Sequence, residues 1–285
     1  MERILTDPAE FQRSAEAFRR DGKRIALVPT MGALHEGHCS LIRIARGLCD
    51  VVMTTLFVNP PQFGAGEDFE RYPRDLKRDA AAAEAAGSDL LFAPQVRAMY
   101  PDGYATFVQV EGITDLLEGA VRPGHFRGVA TVVVKLLNLA KPHAAVFGQK
   151  DAQQVAVIRR VVSDLNLDVA IVVGPTVREA DGLAMSSRNA YLSAAQRGEA
   201  PVLYRVLQLA EERVRAGERR SAPILEEMRG VIERSTSGRI DYLSVADPVT
   251  MQEVSDITAG RELLVSLAVR FGATRLIDNI RLTGA

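Results

Sequence analysis

The sequence predicts an α/β protein, with a mainly parallel sheet over residues 1–175 and a smaller α+β domain over residues 176–285. Three observations carry this. Short apolar runs alternate with segments of helical period through the first 175 residues, the pattern of right-handed βαβ crossovers. Glycine and proline punctuate the joints. After about Pro175 the alternation stops, and two amphipathic segments precede strand-like runs that have no long helix between them.

Taken in order, Asp7 and Pro8 read as the N-cap and first residue of a helix that runs to about Arg20 and closes at Asp21-Gly22. "RIALVPT" is a buried parallel strand, and the loop "MGALHEG" leads into the helix "HCSLIRIARGLC". "DVVMTTLFVN" is a second strand. "FERYPRDLKRDAAAAEAAG" is expected to be mostly helix, its alanines explained by a helix surface, and "SDLLFAP" a third strand. "GVATVVVKLLNLAKP" reads as a buried helix, "HAAVFG" as a strand, "DAQQVAVIRRVVSDLN" as a helix and "DVAIVVGPT" as a strand. "DGLAMSSRNAYLS" is a polar loop. Helices near 194–216 and 222–234 follow, and then "RIDYLSVAD" and "ELLVSLAVRF" as antiparallel strands. No internal repeat is evident.

A chain of 285 residues, 47% hydrophobic, buries a core without disulfides or metal. Lys plus Arg (35) nearly equals Asp plus Glu (36), so there is no bulk attraction to nucleic acid or to an anionic membrane. The first residues carry charges throughout, unlike a secretory signal, and no apolar window of ~18 residues exists, so a cytoplasmic protein with no membrane partner is expected. Cys39 and Cys49, read on one helix, lie ~15 Å apart. That is too far for a disulfide, so both are expected to be reduced. A reactive thiolate at Cys39, near a helix start, is the alternative, without a resolving partner in view.

In an open α/β sheet, ligands sit beyond the carboxyl ends of strands, which is where "PTMGALHEGH" falls. Gly32 and Gly37 allow close backbone approach, and a helix starting near Gly37 offers unpaired N–H groups that suit phosphate. His35 and His38 straddle the turn as compact N–H donors, suited to charge building on phosphate. Helix-capping or surface histidines are the bland alternative. A zinc site with Glu36 between the rings lacks a third ligand at a suggestive spacing. No G-x-x-x-x-G-K-[ST] loop is present.

In "VFGQKDAQQVAVI", Gly148 ends a strand while Lys150, Asp151 and Gln154 begin a helix. Lys150 is a mobile charge for phosphate. Asp151 accepts from ribose hydroxyls or caps the helix. Gln154 shares their face, whereas Gln153 points to solvent or packing. Ser186, Ser187 and Arg188 form either an anion-binding set on a flexible loop or a turn with a helix cap, of which Ser193 is a plainer example. Asn59 and Gln62, in "LFVNPPQFGAGEDFERYP", are candidates to hydrogen-bond a small polar substrate, with Pro60, Pro61 and the glycines shaping the loop.

Together "PTMGALHEGH", "FVNPPQF", "GHFRGVATVV", "FGQKDAQQ" and "PTVREADGLAMSSRNAYL" resemble the pantothenate synthetase (pantoate–β-alanine ligase) family, in order and over nearly the whole chain. H-x-G-H alone says only nucleotidylyltransferase-like. Pro61 departs from the family pattern, where a larger apolar residue is usual, and puts the shape of the substrate pocket wall in question. The resemblance implies a Rossmann-like sheet of the nucleotidylyltransferase type. It also implies that ATP and pantoate give pantoyl adenylate and pyrophosphate, and that β-alanine then gives pantothenate and AMP, with Mg²⁺ and a homodimer. By matching positions it places Met31, Gly32, Ala33, Leu34, His35, Glu36, Gly37 and His38 at ATP, with His38 as proton donor. Gly148, Gln149, Lys150, Asp151, Val177, Met185, Ser186, Ser187 and Arg188 would also contact ATP. Gln62 and Gln154 would hold pantoate, Gln62 also lying near β-alanine.

The chemistry agrees with the residues. An ionised carboxylate needs no base, only in-line geometry and a stabilised phosphate. His35, His38, Lys150 and Mg²⁺ are expected to supply charge, and a lid bearing residues 186–188 to exclude water. No residue stands out as base for the amine of the second step. Another H-x-G-H adenylyl transferase, acting on a different small acid or a mononucleotide, is the alternative within enzymes. Pyrophosphate exchange with a panel of acids separates the two. A catalytically silent nucleotide- or RNA-binding protein is the alternative outside them, and balanced charge without a basic stripe counts against RNA.

Overall fold

The apolar runs of the first half pair side by side in the computed structural model, which describes residues 4–284. The strands are β1 (Ile4–Leu5), β2 (Ile25–Thr30), β3 (Val51–Leu56), β4 (Leu90–Phe92), β5 (Ala144–Gly148) and β6 (Ala170–Gly174). They lie in the order β1-β4-β3-β2-β5-β6, every pair parallel. Parallel neighbours need crossovers. These are α1 (Pro8–Arg20), α2 (Glu36–Leu48), α3 (Leu76–Ala85), the one-turn α4 (Val96–Met99) and α5 (Glu118–Val121), α6 (His125–Ala140) and α7 (Ala152–Asp164).

Strand side chains alternate between two apolar layers, as the pleat requires. Ile25, Leu27, Met53, Leu90, Phe92 and Phe147 meet Phe11 of α1 and the buried faces of α6 and α7. Ala26, Val28, Val52, Leu91 and Val146 meet Leu41, Ile42 and Ala45 of α2 and Ala80 and Ala83 of α3. Covered on both faces, the strands read as unbroken apolar runs. Ala80 and Ala83 of α3 are therefore core residues facing α2, while Ala81 and Ala85 form the helix surface that the sequence suggested.

The chain after β6 builds a second layer. α8 (Ala194–Glu199), α9 (Val202–Arg215) and α10 (Ser221–Ser235) precede β7 (Arg239–Ala246), β8 (Glu262–Phe271) and β9 (Thr274–Thr283). The three strands are antiparallel in the order β7-β8-β9. One sheet face packs Val245, Leu263, Val265, Leu267 and Val269 on α9 and α10. Three polar residues in cross-strand register, Ser244, Ser266 and Asn279, are buried elsewhere in the same sheet.

Several sequence expectations change. Residues 69–74 are turn and irregular chain, and helix begins only at Leu76, where the Asp75 carboxylate accepts from the Arg78 N–H at 3.0 Å. The 194–216 helix breaks between Glu199 and Val202, because Pro201 lacks an N–H and stands at the start of α9. β1 and β9 are strands that the sequence reading did not anticipate. Cys39 lies on α2 and Cys49 caps its end; both thiols are free. Burial, then the Glu36 charge, pushes the Cys39 thiol up, which removes the reactive-thiolate alternative. No described helix is long and apolar enough to cross a membrane.

α6 packs closely on the turn that carries Gln62, and Gly128 is what permits the approach. A Cβ there would lie 2.4 Å from the carbonyl carbon and oxygen of Pro61 and 2.5 Å from the Gln62 nitrogen. Gly128→Ala is expected to lower unfolding free energy by about 1–3 kcal/mol through overpacking. Urea unfolding checks this; an unchanged midpoint would show that helix and turn separate freely.

Candidate active site

The sheet order reverses direction at β2, whose neighbours are β3 on one side and β5 on the other. Crevices form beyond the carboxyl ends of strands at such a switch point. One cavity opens there, lined from β2 and its loop by Met31, His35, Gly37 and His38, and from β5 and its turn by Gly148, Lys150, Asp151 and Gln154. Gln62 and His125 close another wall, and Val177, Met185, Ser186, Ser187 and Arg188 reach it from the loop after β6.

The loop after β2 is held by a residue far along the chain. Asp79 of α3, 2% exposed, accepts from the Ala33 and Leu34 N–H groups, both at 2.8 Å. Gly32 has φ +91°, and a Cβ there would sit 3.0 Å from Asp79 Oδ2. The glycine thus admits the protein's own carboxylate. Gly32, Ala33 and Leu34 consequently do not line the cavity, and Glu36 turns outward to pair with Arg43.

Both histidines cap α2 while facing the cavity. His35 Nδ1 accepts from the Gly37 N–H at 3.1 Å, and His38 Nδ1 from the His35 N–H at 3.4 Å. An accepting Nδ1 places the proton of a neutral ring on Nε2. Gly37 is required for this fold-back, since a Cβ would lie 2.9 Å from His35 Cε1. The rings stand 4.1 Å apart. Burial, then Lys150, lowers the His35 pKa to about 4; burial, then His35, lowers that of His38 to about 3. Both are neutral at pH 7. They offer N–H hydrogen bonds, which corrects the expectation that they supply positive charge.

Gln62 is buried, with Nε2 donating to Met31 Sδ at 2.9 Å and Oε1 accepting from Asn59 Nδ2 at 3.0 Å. Asn59 itself does not reach the cavity. It is 1% exposed and also bonds the Gly128 carbonyl and the Tyr100 hydroxyl. Pro61 lies against α6 rather than on the cavity wall. Gln154 faces the cavity, whereas Gln153 is buried, holding the Glu118 N–H and the carbonyls of Ile113 and Leu116. The solvent alternative for Gln153 therefore falls. Gln149 also turns from the cavity, donating to Asn279 Oδ1.

Residues 186–188 combine both sequence readings. Ser186 Oγ accepts from the Arg188 N–H at 3.2 Å, a local cap, yet all three residues line the cavity. Arg188 is not a free cation: its guanidinium grips Asp68 through Nε at 3.0 Å and Nη2 at 2.9 Å. Arg122, which the sequence did not single out, grips Glu67 in the same way, with both bonds at 2.7 Å. His125 was also missed, although only four histidines occur and two were already assigned. Its Nδ1 faces the Gln62 carbonyl at 2.7 Å and its Nε2 faces Arg122 at 3.1 Å. An arginine only donates, so Nε2 accepts and Nδ1 carries the proton. Thr176 adds a buried hydroxyl on the cavity wall that has no protein partner. No group of three or more His, Cys, Asp or Glu able to hold a metal occurs among the described residues. Asp151 is the one carboxylate on this cavity wall among them, and its side chain does not cap α7.

The chain is similar to known proteins over nearly its whole length. The profile of the family described as Pantoate-beta-alanine ligase matches residues 3–281. A pantothenate synthetase from Chloroflexus aurantiacus is 53% identical over 282 residues, covering 99% of each chain. One from Heliobacterium modesticaldum is 57% identical over 261 residues, covering 92% of each. Among solved structures, pantothenate synthetase from Thermus thermophilus superimposes with a TM-score of 0.91 at 49% identity, covering 98% of each chain. A pantoate-beta-alanine ligase from Francisella tularensis, complexed with beta-gamma ATP and beta-alanine, superimposes with a TM-score of 0.81 at 32% identity, covering 98% of this chain and 97% of that one.

The lowered histidine pKa values carry a sign. As pH falls below 6.5, the unfolded chain protonates these imidazoles, while the fold keeps them neutral to about 4 at His35 and about 3 at His38. The unfolded state then binds more protons, so stability is present above pH 6.5 and is lost as pH falls toward 3. His38→Asn is expected to flatten this acid decline, measured by urea unfolding between pH 7 and pH 4. Equal slopes in the two proteins would show that the ring titrates normally in the fold.

Proposed function

The chain belongs to the pantoate–β-alanine ligase family, and from that premise we propose that it makes pantothenate in two steps through an acyl adenylate. One observation carries the reading: two neutral imidazoles, one lysine, two glutamines and a serine-bearing loop, from four separate segments, line a single cavity beyond β2 and β5.

In the first step a pantoate carboxylate oxygen attacks the α-phosphorus of ATP, and the bond to pyrophosphate breaks. No proton need move. Nε2–H of His35 and of His38 donate to phosphate oxygens, an interaction worth most in a site that excludes water. Lys150 brings positive charge to the same oxygens, and it has no carboxylate within 4 Å among the described residues. Mg²⁺ neutralises phosphate charge when bound, usually keeping one or two carboxylates beside the phosphates, and Asp151 is the cavity carboxylate that suits that place. Gln62 and Gln154 hydrogen-bond pantoate. Gln62 suits the task because Asn59 fixes its amide, so that analogues lacking a hydroxyl leave buried polar groups unpaired. In the second step the neutral amine of β-alanine attacks the acyl carbon, the bond to AMP breaks, and the amine gives up one proton to water.

Residues 1–175 hold nucleotide and pantoate in this reading, and residues 176–285 form the lid domain. Closure protects the mixed anhydride from water. A cytoplasmic homodimer completes the proposal.

AMP release that depends on ATP, Mg²⁺, pantoate and β-alanine together is the test; release indifferent to either acid would sink the assignment. His38→Ala is expected to slow adenylate formation ~10²-fold or more with the fold intact, judged by pyrophosphate exchange and circular dichroism. Gln62→Ala is expected to raise the KM for pantoate while leaving that for ATP nearly unchanged. The reverse pattern would move Gln62 to the nucleotide.

A further inference from the structure

β9 carries an asparagine in its interior, a residue type depleted in strands. Asn279 is 4% exposed, and a buried amide must find its partners. It finds them across the molecule. Nδ2 donates to the Gln149 carbonyl at 3.1 Å and to the Lys150 carbonyl at 2.8 Å, and Oδ1 accepts from Gln149 Nε2 at 2.9 Å. One side chain of the small sheet thus grips the single 3₁₀ turn, Gln149–Asp151, that joins β5 to α7. The cap position of α7 gives no comparable restraint, because Asp151 makes no side-chain cap bond. The preceding strand residue, Asp278, takes the Arg178 guanidinium at 2.6 and 3.0 Å, holding the loop that leads to residues 186–188.

A lysine ammonium ends a flexible four-carbon stem. Where the charge arrives depends on where the backbone beneath it is fixed, and displacements of ~1 Å cost heavily in phosphoryl chemistry. We propose that Asn279 is a positioning residue for adenylate formation: from the C-terminal sheet it fixes the backbone at 149–150 and so aims Lys150 at the phosphates. Asn279 does not itself line the cavity that His35, His38 and Gln154 share. The inference rests on the role given to Lys150 above. Asn279 also makes Lys150 placement depend on the small sheet being seated against the large one.

A double-mutant cycle on the full chain tests this, with ATP–pyrophosphate exchange in the presence of pantoate and thermal melts on each variant. Lys150→Ala is expected to lower exchange ~10²-fold. Asn279→Ala is expected to lower it about tenfold or more, mainly in kcat, but by less than about twofold when Lys150 is already alanine. Equal factors in both backgrounds would make Asn279 a structural brace and overturn the inference, while leaving Lys150 in its role. An insensitive Lys150→Ala would overturn that role and the inference with it. Should Asn279→Ala not fold, the near-isosteric Asn279→Asp serves in the same cycle. It keeps an acceptor for Gln149 Nε2 but cannot donate to the two carbonyls, so wild-type exchange in that variant would equally overturn the inference.

Discussion

Parallel pairing of β2 with both β3 and β5 is the constraint from which the site follows. Parallel neighbours bring like ends together, so the loop after β2 and the turn after β5 emerge side by side although over a hundred residues separate them. Neither segment has a site alone. The first offers two imidazoles at a helix start; the second offers the Lys150 ammonium and the Asp151 carboxylate. Sequence distance between them is the cost of a fold whose strands are covered on both faces.

Once placed, the loops are immobilised by side chains from elsewhere. Asp79 takes the N–H groups of Ala33 and Leu34, two residues that the resemblance had put at ATP. The consequence is that this stretch of backbone is locked, and the imidazoles of His35 and His38 are what it presents to the cavity. Their neutrality follows from the same enclosure, since burial disfavours an imidazolium more than nearby Asp151 favours one. A neutral ring keeps one proton on a defined nitrogen, here Nε2, and its direction is set by the cap that Nδ1 makes. Capping occupies Nδ1 alone, and both rings still line the cavity.

Local features were legible. Strand, turn and helix around His35 and His38 lie within about twenty residues, and both the apolar run and the cap read directly. So did α1, through Asp7 and Pro8. Long-range partners were not. Asp79 lies 46 residues from Ala33, and Asn279 lies 129 from Lys150; neither pairing leaves a periodic trace. β9 was hidden for a related reason. Arg275, Asp278 and Arg281 make "TRLIDNIRLT" read as polar, yet each charge has a partner, on Glu118 and Asp241, on Arg178 and on Glu262. Residues 69–74 read as helix by composition, but Pro73 and the Asp75 cap put the start later. Asn59 looked like a substrate contact because its type and loop suited one. It supports Gln62 from behind.

Two arginines on the cavity rim already hold carboxylates: Arg188 on Asp68 and Arg122 on Glu67. Any anion reaching for them must therefore exchange partners with an occupant tethered to the same molecule. Such competition penalises dilute, singly charged solutes, which replace two short bonds with fewer, and favours ligands presenting several oxygens at once. Of the three cationic side chains on this cavity wall, two are thus neutralised from within the protein, and Lys150 is the one left unpaired among the described residues.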